Sequence, residues 1–285
     1  MKRKPLDEFF LYFFVFLFAL IILAPFYWLV VSAFSSKAEL LSVPIHWFPE
    51  KIYLGNITKI FQGGLNISGG EVPPFGTAVK NSIIVAGVTT LICITVGSLA
   101  AYAFGRMSFF LSNQLFIAII ALRMLPEIVT VVPLYIIMKK LGLNNTLLGL
   151  ILVYTSFTLP FVIWMMESYF EAIPVELEDA ASIDGLSRLG IFFKIIMPLS
   201  LPGLITTAIF TLLTAWDEFL FALIMTSTYQ AKTLTVAISE FTTRHMIDYG
   251  LMMTGGLLSA LPPLLVALAL QKYIVSGLTS GAIKG

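Results

Sequence analysis

Residues 9–34 read FFLYFFVFLFALIILAPFYWLVVSAF, 26 consecutive positions without a charged side chain. A helix rises 1.5 Å per residue, so this run reaches about 39 Å, more than the roughly 30 Å hydrocarbon core of a bilayer. The run is apolar on every side, which suits lipid rather than one face of a soluble core. It follows a basic start, Met1–Lys4, and so resembles a signal peptide. But it is long for one, and no small-residue cleavage site closes it cleanly. It is expected to stay as a first membrane span.

Five more apolar stretches repeat the pattern, at about Ser82–Phe104, Leu115–Met138, Leu147–Met166, Leu201–Thr226 and Leu251–Leu270. Backbone groups in lipid must be satisfied within their own segment, so each is expected to be helical. The fold class is therefore an all-α membrane protein of about six spans, a single transmembrane domain over residues 1–285. Prolines 25, 126, 133, 160, 202, 262 and 263 lie in or near the spans. They predict kinks or breaks where neighbouring helices or a water-filled cavity take over the freed carbonyls.

Composition agrees. Hydrophobic residues make up 58% of the chain, charged ones only 12%, and mean hydropathy is +0.95. Soluble domains carry about twice that charged fraction. A net charge of +1 argues against a nucleic-acid partner. The one cysteine, Cys93, sits in an apolar run and reads as a small buried hydrophobe, with no disulfide or metal role.

Lys and Arg outside the spans divide eight to eight between the two sides. The triplet Lys2–Lys4 flanks the first span, where the positive-inside rule acts most strongly, so both termini are expected in the cytoplasm.

The chain shows no means of hydrolysing anything. No Gly-Lys dipeptide exists to build a phosphate-cradling loop, and its histidines, His46 and His245, fall in separate loops. The segment richest in signal is Ile173–Gly203, IPVELEDAASIDGLSRLGIFFKIIMPLSLPG. Pro174 suits a first helical turn. Glu176, Glu178 and Asp179 place negative charge at the positive helix start. Ala180 and Ala181 are small, with Ala181 one turn from Gly185, and Gly185 suits a left-handed helix end. Pro198 and Pro202 bracket the entry to the fifth span. The reading is a short helix between two spans, with a small-residue face that admits close approach, set against that of a solvated amphipathic loop helix.

That segment resembles the EAA loop of binding-protein-dependent ABC importer permeases: Glu-Ala-Ala, three residues, Gly, nine residues, Ile, any residue, Leu-Pro. Here it falls on Asp179, Ala180, Ala181, Gly185, Ile195, Met197 and Pro198, with the spacing intact. Asp179 replaces the usual Glu and Met197 the usual Leu; Glu178 is a second source for the carboxylate. Other stretches are similar to the carbohydrate group and, within it, to the maltose-type second permease subunit. These are NSIIVAG (81–87), AAYAFGR (100–106), VPLYIIMKKLGLNNTLLGLIL (132–152), WDEFLFAL (216–223) and the closing QKYIVSGLTSGAIKG (271–285). The family usually has Asn at the place of Asp217.

The resemblance implies that the loop, about residues 171–199, is a cytoplasmic coupling helix docking in a groove of an ATPase subunit. It implies that Gln271, Ser276, Gly277, Thr279, Gly281 and Lys284 of the tail contact the ATPase dimer. By its own composition, that tail reads as a disordered end. The implied partners are a second homologous permease, the ATPase pair and an extracytoplasmic solute-binding protein, with a sugar as cargo. ATP and Mg would be bound by the ATPase, and this chain would hold no cofactor, metal or catalytic residue.

Charges inside the spans are functional-site candidates, because ionisable groups in lipid are costly unless they face water, the interior or a partner. They are Arg123 and Glu127, four apart on the third expected span and so on one face, and Asp217 and Glu218 on the fifth. A structural Arg123–Glu127 pair is an equal alternative. Trp216 suits stacking on a sugar ring or plain packing. Rival readings are an importer for another solute such as a polyol or glycerol phosphate, a secondary transporter or channel, and a non-transporting assembly protein. The second of these is disfavoured by the lack of an internal repeat.

Overall fold

The computed structural model describes residues 5–62, 64–65, 71–72, 74–242 and 247–280. Its principal helices are α1 (Pro5–Ala33), α2 (Phe75–Arg106), α3 (Ser112–Leu122), α4 (Glu127–Lys140), α5 (Leu147–Glu171), α6 (Glu176–Ile183), α7 (Leu201–Asp217), α8 (Leu220–Met225) and α9 (Tyr249–Ser280). A two-residue strand pair, Gly64–Leu65 with Glu71–Val72, is antiparallel.

Among the described residues, four helices are long and apolar enough to cross a membrane in one piece: residues 6–33 of α1, α2, α5, and residues 249–273 of α9. Two bent pairs pass the same test when each is taken together, α3 with α4 at 99° and Arg188–Leu199 with α7 at 80°. The described residues thus hold four candidate spans, or six, as expected, when each bent pair counts as one.

The third expected span, 115–138, breaks at Arg123–Pro126. The N–H groups of Arg123, Met124 and Leu125 turn to carbonyls three residues back. Pro126 has no N–H to give and adopts extended backbone (ψ 136°) as the cap of α4. The fifth, 201–226, does not run through either. α7 stops at Asp217, because Glu218 is extended (ψ 131°), and the chain restarts as α8. Ahead of α7, residues 192–196 form a π-helical turn just before Pro198, another residue without an N–H.

The chain divides into two compact units, Met1–Gly76 with Ala237–Leu261, and Thr77–Val236 with Pro262–Gly285. In the first, α1 ends on a polar tie. Buried Asn56 donates from Nδ2 to the carbonyls of Ala33 (3.1 Å) and Ser35 (3.0 Å), and the Thr254 hydroxyl also reaches Ala33. The one-turn helix Lys37–Leu40 follows, started by a capping box between Ser36 and Glu39.

In the second unit, α5 lies against α3, α7 and α8. Phe170, Met166 and Val162 of α5, Tyr102 and Cys93 of α2, and Phe192 and Ile196 of the π turn make its main apolar core. Cys93 is buried and free, as its surroundings suggest. Gly203 lets the start of α7 approach α5; a Cβ there would lie 2.5 Å from the Tyr169 ring.

Two asparagines tie loops to spans in this unit. Asn81 Nδ2 donates to the carbonyls of Tyr229, Gln230 and Lys232, while Leu234 donates its N–H to the Ser82 hydroxyl. Asn145, in the left-handed region at φ 58°, accepts the N–H groups of Ser227 and Thr228.

Candidate functional site

The loop between α5 and α7 does contain a short helix, α6. It begins directly after Val175, so Pro174 stands just ahead of the first turn rather than inside it. Its end is fully defined. Gly185 sits at φ +83°. The Gly185 N–H reaches the Ser182 carbonyl (3.0 Å), and the Leu186 N–H reaches that of Ala181 (3.1 Å). These two bonds make a Schellman motif, with Leu186 returning to the same core as Ala181. Ser187 then caps the next turn by accepting the Gly190 N–H at 3.2 Å.

The small residues of α6 do not act together. Ala181 is buried in the chain's own core, whereas Asp179 and Ala180 are exposed. The outer side of the segment therefore presents Asp179 and Ala180 with Leu177 and Ile183, the last 87% exposed. The expected small-residue face is split: one alanine lets α6 sit close to its own protein, and the other faces out. Ile195 packs against the core and Pro198 is exposed.

Glu178, unlike the exposed Asp179, is turned into the protein. Its Oε1 lies 2.8 Å from Arg106 Nε at the end of α2, and its Oε2 accepts the Tyr102 hydroxyl at 2.9 Å. Arg106 Nη2 also donates to the Phe170 carbonyl (2.6 Å), in the last turn of α5, and to that of Ile173. The guanidinium thus satisfies carbonyls at a helix end, where the dipole is negative, and offsets by charge a carboxylate near a helix start. A cleft of about 300 Å³ opens beside it, lined in part by Tyr102, Arg106, Glu178, Asp179 and Arg188. The stretch AAYAFGR contains Tyr102 and Arg106, but the sequence alone assigns neither of them a role. Their four-residue spacing on one helix face is the signal that could have found them.

The intramembrane charges gather around two adjoining cavities. One, of about 260 Å³, is lined by Arg123, Glu127, Thr130, Ser156, Thr158 and Thr214 among polar residues, with Phe157 and Phe161. The other, of about 390 Å³, shares Glu127, Phe157 and Thr214 and adds Asp217, Glu218 and Phe219. Arg123 and Glu127 are not on one helix face, because the chain breaks between them. They form no ion pair among the described residues; the Arg123 guanidinium instead lies over the Phe161 ring at 4.6 Å. Delocalised charge over a ring face is attractive when water is scarce.

Glu218 serves the backbone. Its carboxylate accepts the N–H groups of Phe221 (2.6 Å) and Ala222 (3.1 Å) and so starts α8. Asp217 is exposed beside it. Trp216 is buried, 6% exposed, and lines neither of these two cavities. In the tail, α9 continues as helix through Ser276, Gly277 and Thr279, and Gln271 is exposed. Gly281 and Lys284 lie outside the described residues.

Comparison with known proteins agrees with this fold. A chain of a bacterial ABC transporter that imports the acidic polysaccharide alginate superposes with a TM-score of 0.78, covering 96% of this chain and 99% of that one. At 20% identity that likeness shows the fold. In sequence, the chain is 37% identical over 286 residues to the trehalose/maltose transport system permease protein MalG of Thermococcus litoralis, covering 100% of each. It is 38% identical to the trehalose transport system permease protein SugB of Mycobacterium tuberculosis, over 83% of this chain and 84% of that one. Residues 93–280 match the family described as binding-protein-dependent transport system inner membrane component. The chain belongs to that family, the multi-pass membrane subunits of such transporters.

Proposed function

We propose that this chain is one of two permease subunits of an ATP-driven sugar importer of the cell membrane, and that α6 is the helix through which ATPase movement reaches it. The observation that carries the coupling role is the geometry of α6. It is a short helix with a fixed end at Gly185, rooted in the core by Ala181 and Leu186, with Asp179, Ala180 and Ile183 left outward. Such a helix suits a groove on a partner, and a rigid partner movement would carry the attached spans with it. That the cargo is a sugar is supported by the relatives named for trehalose and maltose transport.

In this reading both termini and α6 face the cytoplasm, where the ATPase pair binds ATP and Mg, and this chain holds no cofactor. A solute-binding protein delivers the sugar on the other side. The two cavities around Arg123, Glu127 and Asp217 form this subunit's part of the pathway wall, with hydroxyl-bearing and charged side chains set against aromatic rings. The Gln271–Lys284 tail, which begins within α9, contacts the ATPase.

The test is purification of the tagged chain from its own membrane, followed by uptake of radiolabelled sugars and polyols into proteoliposomes. An ATPase and a second permease should co-purify, and uptake should require ATP and favour a sugar. Solute movement by the isolated chain on an ion gradient would replace this reading. A polyol preference would keep the importer and change the cargo.

A further inference from the structure

Two adjacent acids of α6, Glu178 and Asp179, differ in their surroundings. Asp179 is exposed on the outer side, while Glu178 is turned into the protein and held by two residues of α2. The residue it meets, Arg106, makes contacts with three separate elements from one side chain. Nε faces the Glu178 carboxylate of α6 at 2.8 Å, and Nη2 bonds Phe170 of α5 and Ile173 of the α5–α6 turn. Arg106 itself is the last residue of α2. The pair is largely withdrawn from water, with side chains 10% and 13% exposed. A guanidinium is suited to this, because Nη2 can donate to two carbonyls while Nε stays beside a carboxylate, a spread of nitrogens that a lysine ammonium cannot reproduce.

The link from α6 to α7 is of another kind. It passes through the π turn at 192–196 and a bend of 80° at Ser200. The polar bonds of α6 therefore run to α2 and, through Arg106, to α5, whereas its chain connection to α7 passes through a joint.

We propose that Arg106 is a positioning residue that fastens α6 to the ends of α2 and α5, with Glu178 as its counter-ion, so that the three helices move as one body when α6 is displaced. This rests on the coupling role proposed for α6. It adds which spans receive the stroke and which residue delivers it. Asp179 and Glu178 then have separate roles, and the charge required for transmission inside this chain is that of Glu178.

The test uses the assembled transporter in proteoliposomes, measuring solute taken up per ATP hydrolysed. Glu178→Gln keeps shape and removes charge, and Tyr102→Phe removes one hydroxyl. Arg106→Lys keeps charge and removes the fork. Glu178→Gln and Arg106→Lys should lower the uptake-to-hydrolysis ratio by about tenfold, within the usual coupling range, while the ATPase subunits stay attached. Tyr102→Phe should lower it less. Spin labels at positions 108 and 184, in a Cys93→Ser background, should show one narrow distance in the wild type and a broadened one in Glu178→Gln. A wild-type ratio and an unbroadened distance in Glu178→Gln overturn the proposal. If Glu178→Gln does not assemble, Arg106→Lys and Tyr102→Phe decide by the same two readings. Failure of wild-type complexes to retain any ATPase overturns the coupling role and this proposal together. Wild-type coupling with unaffected variants overturns this proposal alone.

Discussion

At the scale of single residues, Gly185 and Trp216 separate what is needed for backbone from what is needed for packing. Nothing lies within 4 Å of a Cβ built on Gly185, yet its φ of +83° is strained for any other common side chain. Gly185→Ala should therefore cost about 1–2 kcal/mol by backbone strain alone, and Gly185→Asn less, because asparagine tolerates that region. Pull-down of the ATPase should weaken in the order Gly, Asn, Ala, with Val lowest; equal retention in all four would make this turn a plain connector. Trp216→Ala should cost about 3–5 kcal/mol as a core cavity. It should appear as a lower Tm in detergent, while the KM for sugar in the folded fraction stays unchanged. A raised KM would return Trp216 to the ligand. Gly185 was legible in the sequence because a left-handed end has a residue signature. The fate of Trp216 was not, since a tryptophan beside two acids fits stacking or packing equally until burial is known. The Arg106–Glu178–Tyr102 cluster was hidden for a different reason: hydroxyl and carboxylate lie 76 residues apart, and no local pattern reports such a distance.

At the scale of elements, continuous spans were readable and interrupted ones were not. α1, α2, α5 and α9 follow from unbroken apolar runs, with ends shifted by a few residues and, for α9, by a longer extension. The prolines signalled disturbance in the third span, but a proline in an apolar run fits a kink or a complete break. Here Pro126 caps a new helix turned by 99°. That break changes an expectation about charge. Had Arg123 and Glu127 been paired on one face, removing both would have been milder than removing one. With the guanidinium on Phe161 and no ion pair to break, the double variant Arg123→Leu with Glu127→Leu should recover little of the loss, and only through the cavity that the two residues share. Expression level and thermal stability of the four proteins measure this; clear recovery in the double variant would mean that the two charges do pair. The break of the fifth span is marked by Glu218, which reads as a pathway charge in sequence although its carboxylate serves the first turn of α8.

At the scale of the whole molecule, topology fixes every other assignment. If the Lys2–Lys4 triplet sets orientation, reporter fusions after Phe110 and after Ser187 should both report a cytoplasmic location. One placed at Pro49 should report the opposite side. An external signal at Ser187 would remove α6 from the ATPase altogether. The helix α9 then carries a further consequence. Its 32 residues extend about 48 Å, against a hydrocarbon layer of about 30 Å. The apolar part ends near Tyr273, where Lys272 lies 4.9 Å above the ring. An ammonium and a phenol at that level resist entering oil. How far the last turns project beyond the lipid is therefore set by hydrophobic matching, so longer acyl chains would draw the tail back and shorter ones push it out. Host-bilayer thickness thereby becomes a control on how firmly the C-terminal end can reach its neighbour.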